Sequence, residues 1–128
     1  MTDQELFNTV YRHLMTQEGR SCRRHPRNLL IPAYYGDHGR RCPAGLFIPP
    51  EQYDPAFEGM TLEQIIARCS ALQGLNISLL IALRTCHDTL TPPRWKKRLQ
   101  LLAAEYKLLI TPELEALPLN EGPQEYYP

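Results

Sequence analysis

Apolar residues near the start of the chain recur with the spacing of one face of an α-helix. The stripe consists of Leu6, Phe7, Val10, Tyr11, Leu14 and Met15. Thr2, followed three residues later by Glu5, matches a capping box, in which the two residues satisfy backbone amides at a helix start. Gly19 is the residue type that commonly follows a helix end. The pattern therefore predicts a helix over about residues 3–17.

The second half of the chain repeats the helical spacing three times. Thr61, Asn76 and Thr91 each precede an apolar stripe, and all three are residue types that cap a helix through a side-chain oxygen. The stripes comprise Ile65, Ile66, Cys69 and Leu72, then Leu79, Leu80 and Leu83, and finally Trp95, Leu99, Leu102 and Tyr106. Thr111 before Pro112 indicates one further helical turn. We expect three helices here and a short last turn.

The middle of the chain lacks a helical pattern. Six of the 12 prolines fall between residues 26 and 55, where they interrupt any helix. Extended runs at 29–31 and 33–35, a glycine-rich turn at 36–39 and an apolar run at 46–48 indicate a short hairpin. The predicted fold is a helix-dominated α+β single domain with a short central β-hairpin. It covers residues 1–118, and residues 119–128 form a flexible tail.

Length and composition agree with one folded domain and argue against several classes. The chain has 128 residues, of which 43% are hydrophobic and 22% charged, so global disorder is excluded. No apolar run approaches the length of a membrane span. The start, MTDQELF, lacks the basic region and the apolar block of a signal peptide. Fourteen basic and 14 acidic residues give zero net charge, which argues against a nucleic-acid partner. We therefore expect a cytoplasmic protein with no membrane association.

Positive charge is concentrated in residues 20–41, which hold six arginines and one aspartate. The candidate ligand-binding residues are Arg23, Arg24, Arg27, Tyr34, Tyr35, Arg40 and Arg41. Guanidinium groups bind phosphate in a two-pronged manner, and tyrosine rings can stack on a base. The alternative is a solvated basic loop that pairs with the acidic residues 51–63 of the same chain. If the segment does bind a partner, the residue types indicate a phosphate-containing small molecule or an acidic protein surface.

Two cysteines and two histidines in the same segment have the spacing of a metal site. Cys22 and His25 form one close pair, and His38 and Cys42 form a second, with 12 residues between the histidines. Such paired donors are typical of structural zinc sites. The surrounding arginines oppose a cation, and the ligand order is unusual. We therefore expect no resident cofactor and keep zinc at this set as the alternative.

Cys86, His87 and Asp88 place three catalytic residue types in a row. Consecutive side chains on a helix point in different directions, so we expect no hydrogen-bonded relay among them. The phosphate-binding loop, the dinucleotide fingerprint, the zinc-protease motif and the nucleophile elbow are all missing from the sequence. The sequence favours a protein without catalytic activity. A small metal-dependent or thiol enzyme is the alternative.

A longer pattern runs through the middle of the chain. Residues 34–49, YYGDHGRRCPAGLFIP, are followed by Tyr53-Asp54-Pro55 and by Glu58-Gly59. This order resembles a family of small bacteriophage and prophage accessory proteins, which share the glycines, the cysteine and the Ile-Pro, Tyr-x-Pro and Glu-Gly steps. The resemblance covers about residues 3–106, although an upstream cysteine of the family falls here near position 32 or 33. It implies a phage accessory context and no particular chemistry.

These observations predict a phage-encoded, non-enzymatic binding protein that antagonises host defence in the cytoplasm of the infected bacterium. It would sequester a phosphate-containing signalling nucleotide or dock on a host defence protein. A nucleic-acid-binding accessory protein is a further alternative, because Lys96, Lys97 and Arg98 form a second basic cluster. Tyrosines in the tail and in the 51–59 loop are compatible with a homo-oligomer.

Overall fold

The computed structural model describes residues 1–27 and 29–122. In this part of the chain the elements are α1 (Asp3–Thr16), β1 (Cys22–Arg24), β2 (Leu30–Pro32), α2 (Leu62–Ile66), α3 (Ile77–Thr89), α4 (Trp95–Glu105) and α5 (Pro112–Glu115). The two strands pair antiparallel, and four short 3₁₀ turns lie in the segment between β2 and α2. The predicted helix-dominated α+β class with a central hairpin is confirmed.

Helix α1 forms as its local sequence predicts. The Thr2 hydroxyl accepts a hydrogen bond from the Glu5 amide at 3.1 Å, and the Glu5 carboxylate accepts one from the Thr2 amide at 2.9 Å. This capping box satisfies donors that a helix start would otherwise leave unpaired. All six residues of the predicted apolar stripe are buried. The helix therefore presents one complete face to the core, against α3 and α5.

The core lies between α1, α3 and α4. Trp95, at the first position of α4, is fully buried and donates its indole N–H to the Leu90 carbonyl at 3.1 Å. Asn76 caps α3 through the Leu79 amide at 3.1 Å, as predicted. The predicted side-chain cap by Thr91 is not formed, because the chain first makes a 3₁₀ turn over Pro92–Arg94 and α4 starts three residues later.

The hairpin lies earlier in the sequence than predicted. Strand β1 pairs with β2 in the register Cys22↔Pro32, so its turn lies between residues 25 and 29. The predicted strand at 46–48 is wrong: Gly45–Phe47 is a 3₁₀ turn, and the Ile48 amide bonds to the Gly45 carbonyl at 3.1 Å. A backbone amide that donates to a local carbonyl in this way cannot also donate across a pair of strands.

The turn predicted at 36–39 does form, and a single β-bridge between Tyr35 and Arg41 closes it. It contains His38 with φ of +60°, a conformation that few residues other than glycine and asparagine adopt. Nearby, Gly45 packs so closely on the Tyr34 carbonyl that a Cβ atom would lie 2.0 Å from its oxygen. This close packing holds the segment that follows the turn against the core.

The structure describes residues 119–122 of the predicted tail. The Asn120 amide donates to the Met15 carbonyl at 2.9 Å, which connects the chain near residue 120 to the end of α1. Residues 123–128 of the predicted tail, with Tyr126 and Tyr127, lie outside the described residues. Within the described ranges, no helix is long and apolar enough to cross a membrane.

Candidate functional site

The centre of the candidate site is a three-layer stack around Tyr35. The Tyr53 ring lies parallel to the Tyr35 ring, with centroids 3.9 Å apart and planes 3° from parallel. The Arg41 guanidinium carbon lies 3.6 Å from the Tyr35 ring centroid. Two groups this close cannot share one face, so both faces of the Tyr35 ring are covered. The Tyr35 hydroxyl donates to the Ile48 carbonyl, which fixes the ring in its plane.

The carboxylate of Glu58 holds the two stacked tyrosines, Tyr35 and Tyr53, together. It accepts hydrogen bonds from the Tyr34 amide at 2.9 Å, the Tyr35 amide at 3.1 Å and the Tyr53 hydroxyl at 2.6 Å. The Arg23 Nη2 atom lies 3.8 Å from the same carboxylate and donates to the Tyr53 hydroxyl at 2.8 Å. Burial and the adjacent Glu58 raise the pKa of Tyr53, which keeps it a donor. Glu58 thus links Tyr34 and Tyr35, which precede the 36–39 turn, to the 51–59 loop.

Neither of the two tyrosines predicted to stack on a ligand offers a free ring face. Tyr34 is 2% exposed, its hydroxyl donates to the Met60 carbonyl at 2.9 Å, and the Arg84 guanidinium lies 4.4 Å from its ring centroid. Burial raises the pKa of Tyr34 to about 12. Tyr35 is enclosed in the stack described above. The structure therefore places both rings in the scaffold, because internal partners cover them.

The predicted arginines divide into a packed group and an exposed group. Arg40 is 8% exposed and donates to the Glu18 carbonyl at 3.1 Å. Arg41 is half-buried over Tyr35, and its Nη1 donates to the Arg40 carbonyl at 2.9 Å. Arg23, Arg24 and Arg27 are exposed on the hairpin. Only the hairpin group presents its side chains to solvent.

An open groove of about 250 Å³ lies beside the hairpin. It is lined by Arg23, Arg24, His25, Pro26, Ile31, Pro32, Ala33 and Glu58. Three of these side chains can carry positive charge, and the others, apart from Glu58, are apolar. The Glu58 carboxylate is already engaged by two amides and a hydroxyl, which offsets its charge within the groove. The groove therefore offers cationic side chains that can bind an anion and apolar side chains that a ring can contact.

The proposed zinc ligands are not brought together. Cys22 and Cys42 are buried in the core, whereas His25 and His38 are exposed on two different turns. His25 instead accepts a hydrogen bond at Nδ1 from the Arg27 amide at 3.3 Å. Across residues 1–27 and 29–122, no group of three or more His, Cys, Asp or Glu side chains is placed to hold a metal ion.

The thiols are placed in apolar surroundings. All four cysteines are free and buried. Burial raises the pKa of Cys42 and of Cys86 to about 12 and also raises that of Cys22. A thiolate is the reactive form of cysteine, so these positions disfavour nucleophilic chemistry.

His87 makes a contact that the sequence did not predict. Its Nδ1 lies 2.6 Å from Asp88 Oδ1, so the expectation that neighbours on this helix would not pair is wrong for this pair. The Ser21 amide donates to His87 Nε2 at 2.9 Å, so Nε2 is the acceptor and Nδ1 carries the proton. Burial lowers the pKa of His87, opposed by Asp88, and the ring stacks on Trp95. The pair ties β1 to the end of α3, and both ring nitrogens are occupied.

Glu58 and Tyr53 are site residues that the sequence analysis does not include among the candidate ligand-binding residues. Two signals pointed to them: their places in the Tyr-x-Pro and Glu-Gly steps of the family pattern, and the acidic, aromatic character of residues 51–63, an alternative internal partner for the basic segment. The contact between Arg23 and Glu58 is of that kind. Nothing in the local spacing showed that the contact would also enclose Tyr35.

Comparisons with protein-family models, with curated proteins and with solved structures found no match to this chain.

Proposed function

We propose that the protein is a non-enzymatic binding protein that holds a phosphate-containing small molecule in the groove beside the hairpin. The observation that carries this proposal is the exposed set Arg23, Arg24 and His25, which lines the groove together with apolar residues. Guanidinium groups suit a phosphate, because they offer paired donors at a fixed spacing. Ile31 and Pro32 in the same lining suit the face of a sugar or a base.

The scaffold around the groove supports a preformed site. Arg23 is held by two hydrogen bonds, from Nε to the Tyr35 carbonyl at 2.7 Å and from Nη2 to the Tyr53 hydroxyl at 2.8 Å. The Asp37 carboxylate accepts from the Arg24 amide at 3.2 Å, which fixes the strand end from outside. A side chain fixed before binding loses less entropy when the ligand arrives. The packed tyrosines and arginines thus act as the support of the site.

The biological setting that we propose rests on the resemblance to small phage proteins. In that setting the protein would act in the infected bacterium and remove a signalling nucleotide from a host defence pathway. Sequestration requires a stoichiometric binder and no turnover. That requirement fits buried thiols and the lack of a metal-ligating group within the described residues.

The first test is native mass spectrometry of the untagged protein purified without chelator, followed by calorimetric titration with linear and cyclic adenine and guanine nucleotides. We expect an adduct of nucleotide mass and a titratable site. The double variant Arg24→Ala with His25→Ala removes two of the cationic groups that line the groove. It should weaken binding about tenfold or more, because a charge-assisted hydrogen bond is worth about 1.5–3 kcal/mol. Affinity should also fall as salt is raised.

Arg68→Ala is the matched control, because Arg68 is exposed and does not line the groove. It should leave nucleotide binding unchanged. Equal affinity of the Arg24→Ala, His25→Ala variant and the unsubstituted protein would show that the groove is not the ligand site. A zinc-mass adduct instead of a nucleotide would favour the metal alternative.

A further inference from the structure

A second groove, of about 430 Å³, lies along the outer face of α4. We name it the α4 groove, and it is lined by Leu90, Pro93, Arg94, Lys97, Arg98 and Leu101. The positions from 94 to 101 follow the spacing i, i+3, i+4 and i+7, so they form one continuous helix face. The buried residues of α4 occupy the opposite face. The groove is therefore separate from the hairpin groove and from its supporting stack.

The cations of the α4 groove have no counterion among the residues that the structure describes. Arg94, Lys97 and Arg98 are exposed, and no carboxylate of residues 1–27 or 29–122 lies within ion-pairing distance of them. Their neighbour Lys96 differs, because its Nζ donates to the Glu115 carbonyl at 3.0 Å. The second basic cluster of the sequence thus contributes Lys97 and Arg98 to the groove, together with Arg94, while Lys96 holds α5 in place.

The floor of the groove is apolar and accessible. Leu101 is 55% exposed, so its side chain is accessible to a partner. Leu90 and Pro93 extend this surface into the turn before α4. Burial of such a surface by a partner is favourable at about 25 cal/mol per Å². Cations around an apolar floor are complementary to a segment that carries both carboxylates and apolar side chains.

We propose that the α4 groove is the docking surface for an acidic amphipathic segment of a partner protein. The face from Arg94 to Leu101 spans about two helical turns, so a partner helix with apolar residues at spacings of three and four would match it. No aromatic ring lines the groove, and half of its lining is leucine and proline, which offers nothing to a nucleic-acid strand that stacks its bases. The apolar half of the lining, beside the three cations, thus favours a protein segment that carries both carboxylates and apolar side chains.

The test uses fluorescence anisotropy with a labelled synthetic helix of about 14 residues, with leucines at heptad positions a and d and glutamates on both flanks. Arg94→Glu with Arg98→Glu should weaken binding at least tenfold at physiological salt, where distant charges are screened. Leu101→Ser should weaken it about threefold or more, because the apolar contact is lost. An oligoglutamate of the same length should bind much more weakly than the helix.

The matched control is Arg27→Glu with Arg68→Glu, which makes the same change in net charge on other surfaces. It should leave peptide affinity within about twofold, because charges beyond roughly 8 Å are screened. All substituted side chains are exposed, and circular dichroism will show that the fold is kept. Failure of this test leaves the proposal for the hairpin groove unaffected, because Arg24 and His25 are tested there separately.

Three results would overturn the proposal. The first is an equal loss of peptide binding in the matched control, which would indicate a non-specific charge effect. The second is full peptide affinity in the Leu101→Ser variant, which would show that the floor takes no part. The third is tighter binding of a 20-nucleotide thymidine oligonucleotide, lost in Arg94→Glu with Arg98→Glu, which would assign the face to nucleic acid.

Discussion

The two basic segments of the chain, residues 20–41 and 94–98, contain similar residues and use them differently. In the first segment Arg20 and Arg40 are buried, and Arg41 covers a tyrosine ring. In the second segment the side chains of Arg94 and Arg98 extend into solvent beside a groove. Density of arginine in a sequence is therefore a poor guide to a binding surface. Arginine offers a long apolar stem and a flat head, so it serves equally well as a packing residue.

The buried parts of the first segment depend on two anchors, Glu58 and His87. Glu58 joins the tyrosine amides to the 51–59 loop, and His87 joins β1 to α3. Arg94 and Arg98 of the second segment have no such anchor among the described residues, since α4 is held by the opposite face of the helix. The anchored arginines of the first segment and the exposed arginines of the second therefore predict different effects of substitution on the free energy of unfolding.

The largest effect is expected for Glu58→Ala. The substitution leaves the Tyr34 amide, the Tyr35 amide and the Tyr53 hydroxyl without their acceptor. We expect the free energy of unfolding to fall by about 3–4 kcal/mol, because buried donors left unpaired cost about 1–3 kcal/mol each and relaxation recovers part of that. The melting temperature should fall by roughly 10 °C. Denaturant and thermal unfolding measure both quantities.

Glu51→Ala is the control for this substitution, because Glu51 is exposed at the start of the same loop. It should change the free energy of unfolding by less than about 0.5 kcal/mol. A Glu58→Ala protein as stable as the Glu51→Ala protein would show that Glu58 does not stabilise the stack of Tyr35 and Tyr53.

A smaller effect, dependent on pH, is expected for His87→Ala. The substitution leaves the Ser21 amide without an acceptor and opens space beside Trp95, for an expected loss of about 2–3 kcal/mol at pH 7.5. Burial holds the pKa of His87 below its ordinary value of 6.5. Between these two pKa values the unfolded chain binds a proton that the folded chain does not, so stability falls as the pH falls below about 6.5.

Unfolding free energies measured from pH 7.5 down to pH 5 check this sign. The unsubstituted protein should lose stability over that range, and the His87→Ala variant should lose less. The variant keeps part of the slope, because burial also lowers the pKa of His13. Identical slopes in the two proteins would mean that His87 is not a neutral buried group.

The smallest effects compare one arginine from each segment. Arg41→Ala should cost about 1 kcal/mol, because it removes the guanidinium from the Tyr35 ring while the Gln17 side chain still accepts from the Arg41 amide. Arg98→Ala should cost less than about 0.5 kcal/mol, because the side chain is exposed. The same denaturant titration measures both. Equal losses of unfolding free energy in Arg41→Ala and Arg98→Ala would contradict the distinction between a packed Arg41 and an exposed Arg98.

Local patterns predicted the helices well and the middle of the chain poorly. The capping box of Thr2 and Glu5, the cap by Asn76 and the buried stripe of α1 all form as expected. In the middle, the apolar run at 46–48 was predicted to be a strand and is a 3₁₀ turn. The pairing of Cys22 with Pro32 had no local signature, because strand partners are chosen by contacts across the turn.

The candidate site shows the same division. The sequence by itself determined where positive charge is concentrated, which segments are helical and, apart from Thr91, which residues cap them, because helix contacts join residues at most four apart. Only the tertiary structure decided which arginines face solvent. Tyr35 is enclosed because Tyr53 and Glu58, 18 and 23 residues away, meet it at one point. Such distant contacts depend on how the whole chain closes around its core, and no local spacing carries that information.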